Sequence, residues 1–250
     1  MIANQISAGG IEGILFDMGG TLRTRVPDET IRRNARQEFL ALLGKSGEPE
    51  AWFEELNRRY EAYSEWAQAR LIESPEEEIW TRWMLPEFPS EKIAPIAQQL
   101  TLVWRERVGR AVVRPDAVET IAELSRRGYR LGLISNTISA VDVPRSLEKY
   151  GLAQYFQIVI LSSTSGRRKP DPEIFWRATR AMQVEPARCA YIGNRLSRDV
   201  VGSHRAGFSK AILIRASNFP RDENRNPIDQ PEAVIDNLSE LLNIFAPRTL

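Results

Sequence analysis

The most informative segment of the chain is residues 11–22, Ile-Glu-Gly-Ile-Leu-Phe-Asp-Met-Gly-Gly-Thr-Leu. A short apolar run bounded by turn residues is typical of a strand that is buried on both faces of a parallel sheet. This run ends in the carboxylate of Asp17, and the glycines that follow leave backbone N–H groups free to approach an anion. Similar apolar runs recur at residues 130–134, 157–161, 189–192, 211–215 and 233–235.

Helical patterns separate these apolar runs. Residues 115–127 stop before Gly128, residues 171–182 begin with Asp-Pro, and residues 197–206 stop before Gly207. An aspartate followed by proline is a favourable helix start, and glycine is a common helix end. Because strand alternates with helix, we predict an α/β fold with a doubly wound, Rossmann-like parallel sheet.

The segment between the first and second predicted strands breaks the alternation. From about residue 27 to residue 110 we predict only helices, at 28–43, 49–71, 75–85 and 90–110. We therefore predict a core domain formed by residues 1–24 plus 111–250, and an all-helical cap domain formed by residues 25–110. An insertion at this point lies over the carboxyl ends of the strands, where open α/β sheets bind ligands.

Composition excludes several classes of protein. The 34 basic and 33 acidic residues nearly cancel, which favours neither a nucleic acid nor a membrane as partner. Residues 1–10 lack the features of a signal peptide, so we expect a water-soluble, cytoplasmic protein. The single histidine, His204, falls on a predicted helix, which argues against a Ser-His-Asp triad or a His-rich zinc site. Cys189 is expected to be an inert core thiol, residues 218–231 a polar loop, and the oligomeric state stays open.

Polar residues follow four of the predicted strands at the point where each strand ends. They are Asp17, the triplet Ser135-Asn136-Thr137, Lys169 in the loop 167–172, and Gly193-Asn194 with Asp199 five residues later. Because the carboxyl ends of parallel strands meet at one edge of a sheet, we expect these groups to converge.

This series of segments resembles the motifs of the haloacid dehalogenase-like hydrolase superfamily, and the resemblance covers nearly the whole chain. It is closest to the phosphatase-like branch, in which a helical cap is inserted after the first motif. Asp17-Met18-Gly19-Gly20-Thr21 matches the first motif, Ser135 the second, Lys169 the third, and Gly193-Asn194 with Asp199 the fourth.

The resemblance implies covalent catalysis in which Asp17 is the nucleophile, assisted by Ser135 and Lys169. Asn136 and the backbone N–H groups of Met18, Gly19 and Gly20 are then expected to bind the substrate's phosphoryl oxygens. The resemblance also implies Mg²⁺ as cofactor, held by Asp17, the carbonyl of Gly19, Asn194 and Asp199.

Two positions depart from the family pattern. Gly19 stands where phosphatases of the family have a second Asp that protonates the leaving group, and Asn194 stands where they have an acid. Positioned acid–base groups typically contribute about 10²–10⁴-fold in rate. We therefore predict a phosphatase for a small phosphorylated metabolite that is slow, or selective for good leaving groups such as acyl or aryl phosphates. Binding of Mg²⁺ should be weaker than is usual for the family.

Two other functions remain open. Loss of two acids is also what a non-catalytic relative would tolerate, one that binds a phosphorylated ligand or a protein partner. The metal-independent 2-haloacid dehalogenases of the family also lack the second Asp, because halide leaves without a proton.

Overall fold

A computed structural model describes residues 10–215 and 229–248 of the chain. Residues 1–9 and most of the predicted polar loop 218–231 lie outside the described residues. Within the described part, the chain forms eight strands: β1 (Gly13–Phe16), β2 (Arg23–Val26), β3 (Arg110–Val113), β4 (Arg130–Ser135), β5 (Phe156–Leu161), β6 (Cys189–Gly193), β7 (Lys210–Ile214) and β8 (Ala233–Ile235).

Six of these strands form one parallel sheet in the order β5-β4-β1-β6-β7-β8. These are the six strands that the apolar runs predict. The first strand, β1, lies between β4 and β6, and the crossover from β1 to β4 contains the long helical segment. The order reverses around β1, which makes the carboxyl end of β1 the switch point of the sheet.

Helices form in each of the predicted helical segments. The chain forms α1 (Glu29–Leu42), α2 (Glu50–Arg70), α3 (Glu76–Glu78), α4 (Ser90–Ile93), α5 (Ala97–Glu106), α6 (Ala117–Arg126), α7 (Asp142–Lys149), α8 (Ser162–Ser165), α9 (Pro172–Met182), α10 (Val201–Arg205) and α11 (Leu241–Ile244). Of these, α7, α8 and α11 form in addition to the predicted helices. The short helices α3 and α10 adjoin π-helical turns at Ile79–Met84 and Leu196–Val200. Asp171 caps α9 by accepting a hydrogen bond from Glu173 N, as the Asp-Pro start predicts.

Alternate residues of β1 pack on opposite faces of the sheet. Ile14 and Phe16 belong to an apolar cluster with residues of α6, α7 and α11, whereas Leu15 belongs to a cluster with residues of α9. Side chains of a strand point to alternate faces, so this arrangement requires helices on both sides. The sheet is therefore doubly wound, as predicted.

Residues 29–106 form a helical segment, which we call the cap, and its apolar cluster takes only Ile138 from outside the segment. Its cluster contains Phe39, Tyr63, Trp80 and Trp104, and the rings of Phe39 and Trp80 are 5.5 Å apart. Trp80 Nε1 donates a hydrogen bond of 2.7 Å to Thr101 Oγ1. Both tryptophans are thus part of the packing between the cap helices. Within the described residues, no helix is both long and apolar enough to cross a membrane.

The antiparallel ribbon formed by β2 and β3 was not predicted. Arg23–Val26 pairs with Arg110–Val113, so the chain enters and leaves the cap through this ribbon. The sequence Arg-Thr-Arg-Val has no apolar run to indicate a strand. Arg23 is nevertheless 3% exposed, because its guanidinium binds Asp142 and Ser146 of α7.

A substitution at Gly109, where α5 turns into the ribbon, should be costly. Gly109 has φ +106°, and a Cβ there would lie 2.2 Å from the carbonyl oxygen of Val26. We expect Gly109→Ala to lower the free energy of unfolding by about 3 kcal/mol. The matched control is Gly44→Ala, since Gly44 also has a positive φ (+69°) but open space around it. The control should cost roughly 1 kcal/mol. Equal losses in chemical denaturation would show that the close contact with Val26 contributes nothing.

Candidate active site

The centre of the site is the ammonium group of Lys169, which lies between two buried carboxylates. Lys169 Nζ is 2.7 Å from Asp17 Oδ1 and 2.7 Å from Asp199 Oδ1. Lys169 is 2% exposed, Asp17 is 5% exposed and Asp199 is 1% exposed. Asp17 and Lys169 are 152 positions apart in the sequence. They lie in contact at the carboxyl edge of the parallel sheet, as the sequence analysis predicts.

Asp17 follows β1 directly, and the sheet fixes its backbone. Its N–H donates a 2.9 Å hydrogen bond to the carbonyl of Ile192 in β6, and Thr21 Oγ1 lies 3.4 Å from Asp17 Oδ2. Burial raises the pKa of Asp17 above its ordinary value, and the nearby charge of Asp199 raises it further, while Lys169 opposes both effects. One cation shared by two carboxylates does not neutralise both.

Asp199 lies against the backbone at the end of β6. The N–H groups of Asn194 and Arg195 donate to Asp199 Oδ2 at 3.1 and 2.9 Å. A Cβ on Gly193 would be 2.4 Å from Asp199 Cγ, so only glycine leaves room for this carboxylate. Two backbone donors and one lysine fix the position of the Asp199 carboxyl group.

Lys169 is held by residues of two strands, β4 and β6. Its ammonium donates to the carbonyl of Ile134 at 3.0 Å and to Tyr191 Oη at 2.8 Å. Tyr191 donates in turn to the carbonyl of Ile134 at 3.1 Å. Sequence analysis missed Tyr191, although a tyrosine within an apolar strand is a signal, since a buried hydroxyl needs a partner.

Asn136 is occupied by the backbone of Lys169. Its amide nitrogen donates to the carbonyl of Lys169 at 3.0 Å, and its amide oxygen accepts from the N–H of Lys169 at 2.8 Å. This pair of hydrogen bonds holds the lysine loop against the end of β4. The predicted contact of Asn136 with substrate stays a prediction, and the geometry gives its carboxamide a positioning task instead.

The remaining predicted residues line the same edge of the sheet. Ser135 ends β4 and is 4% exposed. Met18 directs its side chain into the apolar cluster of β1, so only its backbone can face a ligand. Gly20 has φ +87° and donates to the carbonyl of Arg23 at 2.7 Å. Gly19 is exposed, and a Cβ built on it would meet no atom within 4 Å.

The donor set fits a weakly held divalent cation. Asn194 is the informative residue, because both atoms of its carboxamide are buried and have no hydrogen-bond partner among the described residues. An unpartnered amide oxygen beside Asp199, with Asp17 across Lys169, supplies oxygen ligands of the type that Mg²⁺ prefers. No cluster of three or more acidic, histidine or cysteine side chains suited to a metal occurs in the described ranges. The two departures from the family pattern explain that shortage.

Two side chains of the cap reach the loop that follows Ser135. Arg105 Nη1 lies 3.4 Å from Thr137 Oγ1, and Glu76 Oε1 accepts a 2.7 Å hydrogen bond from the N–H of Ala140. Burial raises the pKa of Glu76 above its ordinary value. Arg105 also pairs with Asp142 at 2.9 Å. The cap thus contacts the core close to the site.

Because two carboxylates share the ammonium of Lys169, removing the lysine and removing one carboxylate should change the stability of the metal-free protein in opposite directions. Lys169→Met leaves two buried carboxylates without their cation and should lower the free energy of unfolding by about 3–5 kcal/mol. Asp17→Asn leaves one lysine facing one carboxylate, so its melting temperature should equal or exceed that of the wild type. Thermal unfolding in a chelator measures both variants. A loss in Asp17→Asn as large as that in Lys169→Met would contradict the shared-charge arrangement.

The sequence is similar to those of two known phosphatases. The chain is 35% identical over 130 residues to a glyceraldehyde 3-phosphate phosphatase of Methanopyrus kandleri, covering 52% of this chain and 55% of that relative. The chain therefore spans only about half the length of that relative. It is 29% identical over 237 residues to a phosphoglycolate phosphatase of Nitrosococcus oceani, covering 94% and 96% of the two chains.

A solved structure shares the whole fold. The crystal structure of 2-haloacid dehalogenase from Pseudomonas syringae superposes with a TM-score of 0.68 at 24% identity, and the match covers 94% of this chain and 97% of that one. The family model for haloacid dehalogenase-like hydrolases matches residues 11–207. The chain therefore belongs to the haloacid dehalogenase-like hydrolases.

Proposed function

We propose that the protein is a phosphatase that hydrolyses a small phosphorylated metabolite through a phosphoryl group carried transiently on Asp17. The observation that supports this most is the buried Asp17 carboxylate at the end of β1, 2.7 Å from the ammonium of Lys169. Relatives named as phosphatases of glyceraldehyde 3-phosphate and phosphoglycolate support the substrate class.

The reaction has two displacements at phosphorus. A carboxylate oxygen of Asp17 forms a bond to phosphorus as the bond to the leaving oxygen breaks, and the leaving group takes that electron pair. Water then attacks the same phosphorus atom as the bond between phosphorus and the Asp17 oxygen breaks. The proton of the water passes to solvent, inorganic phosphate leaves, and the Asp17 carboxylate is regenerated with that electron pair. Lys169 stays protonated throughout and offsets negative charge on Asp17 and on the phosphoryl oxygens. Ser135 and the backbone N–H groups of Met18 and Gly19 are the donors for those oxygens, whereas the N–H of Gly20 already donates to the carbonyl of Arg23.

The residues that would hold Mg²⁺ are Asp17, Asp199, the side-chain oxygen of Asn194 and the carbonyl of Gly19. When bound, the ion would supply positive charge next to the transferring phosphoryl group. Because Asn194 is neutral and Lys169 already pairs with both acids, we expect binding to be weaker than at a site with four carboxylates.

Gly19 limits which phosphates react quickly. A glycine has no group that can protonate the departing oxygen, so an alkoxide would have to leave unprotonated unless water or the substrate supplies the proton. Aryl and acyl phosphates leave as weakly basic anions and need little protonation. The site therefore favours substrates whose leaving group is already a good one.

A panel of phosphates tests the proposed reaction. We expect Mg²⁺-dependent phosphate release from nitrophenyl phosphate and acetyl phosphate, with an alkyl phosphate slower by about 10²–10⁴-fold. Asp17→Asn is the blank and should lose all release above background. Halide release from 2-chloropropionate that persists in chelator would instead identify a dehalogenase. Absence of both activities in a folded protein would favour a binding role.

Restoring the missing acid should broaden the substrate range. A Cβ built on Gly19 meets no atom within 4 Å, so the backbone at this position accepts a side chain. We expect Gly19→Asp to raise kcat/KM for alkyl phosphates by on the order of 10²-fold, and to change the value for nitrophenyl phosphate much less. Gly19→Asn, of the same size but without a proton to give, is the matched control. An equal gain in both variants would show that proton transfer does not limit the wild type.

A further inference from the structure

A buried carboxylate outside the proposed site joins the cap to two loops of that site, the loop that carries Lys169 and the loop after β4. Glu73 follows α2, and its side chain is 0% exposed. Tyr63 of α2 donates a 2.5 Å hydrogen bond to Glu73 Oε1, and Ser162 donates a 2.7 Å hydrogen bond to Glu73 Oε2. Arg168 donates to the same Oε2 through its Nη1. A carboxylate is stable when buried only if it is paired in this way.

The two core partners of Glu73 lie next to residues of the proposed site. Arg168 directly precedes Lys169. The hydroxyl of Ser162 gives its proton to Glu73 and accepts a 2.8 Å hydrogen bond from the N–H of Thr137, two residues after Ser135. One carboxylate therefore acts on the lysine loop and on the loop after β4 at the same time.

The backbone reinforces this connection. The N–H of Arg168 donates to the carbonyl of Leu71 at 3.0 Å, and the N–H of Glu73 donates to the carbonyl of Gly166 at 3.2 Å. Ile72 and Arg167 face each other as an antiparallel bridge between these bonds. The segment after α2 thus pairs with the lysine loop as a short strand would, far along the chain from the ribbon of β2 and β3.

We propose that Glu73 is a positioning residue that keeps Lys169 and the Ser135 loop in register with each other and with the cap. This inference rests on the proposed function for its kinetic part. Asn136 already ties the two loops together through the Lys169 backbone, and Glu73 fixes that pair of loops to the cap segment. A displacement of about 1 Å at a catalytic group can cost about 10²-fold in rate.

Glu73→Gln tests the inference. The amide keeps the size of the side chain but leaves the guanidinium of Arg168 without a negative partner. We expect kcat for nitrophenyl phosphate to fall by about 10–10²-fold per folded molecule, with KM nearly unchanged, since Lys169 acts on the transition state. A purely structural role would lower the melting temperature and leave kcat per folded molecule at the wild-type value, which would overturn the inference.

Two further variants separate positioning from general damage. Glu232→Gln is the matched control, because Glu232 also accepts hydrogen bonds from a side chain, His204, and from a backbone N–H, but does so at the β7 side of the sheet. It should keep the wild-type kcat. In a double-mutant cycle, Arg168→Gln combined with Glu73→Gln should be no slower than Glu73→Gln alone, because both changes break the same contact. Fully additive losses would show that Glu73 does not act through Arg168.

Amide hydrogen exchange gives a readout that needs no activity. Glu73→Gln should speed exchange at Thr137 and Arg168, whereas Glu232→Gln should leave both amides as in the wild type. If wild-type protein releases no phosphate, the proposed function fails while the exchange result still decides the role of Glu73. Unchanged exchange at both amides would refute the positioning role whatever the activity.

Discussion

The site depends on one ammonium group placed between two carboxylates that are nearly inaccessible to water. Separating Asp17, Asp199 and Lys169 from solvent is costly, and the attraction among them offsets that cost only while the distances stay near 2.7 Å. One ammonium group does not balance two carboxylates. Burial raises the pKa of Asp17, and the charge of Asp199 raises it further. An excess of negative charge at this edge also supports the divalent cation that we propose there. The raised pKa reflects a carboxylate that is less stabilised than one in water.

Neighbouring residues keep those distances fixed, so that Asp17, Asp199 and Lys169 do not have to be held by a bound substrate. Gly193 lets Asp199 lie against the backbone, Tyr191 and the carbonyl of Ile134 hold the ammonium, and Asn136 clamps the lysine loop. What the site retains is therefore charge stabilisation, and what it lacks at Gly19 is a group that transfers a proton. In the reaction that we propose, these two properties together favour phosphates with weakly basic leaving groups over ordinary alkyl esters.

Local sequence patterns were sufficient for the six strands of the parallel sheet and for the meeting of Asp17, Lys169 and Asp199. Both follow from apolar runs and from the rule that parallel strands end at one edge. The ribbon of β2 and β3 escaped detection because its residues are polar and its pairing joins positions more than 80 residues apart. Tyr191 and Glu73 were missed for a related reason: their roles are set by partners on other elements, which periodicity does not reveal. The substitutions at Gly19 and Asn194, by contrast, were visible at once as departures from the family pattern.

The most direct test of Asp17 as nucleophile is mass spectrometry of enzyme quenched in acid during turnover of acetyl phosphate. We expect a fraction of the peptide that contains Asp17 to carry one phosphoryl group, and we expect Asp17→Asn to carry none. Steady release of phosphate from an enzyme whose Asp17 peptide is never modified, or a phosphoryl group on another residue, would contradict covalent catalysis by Asp17.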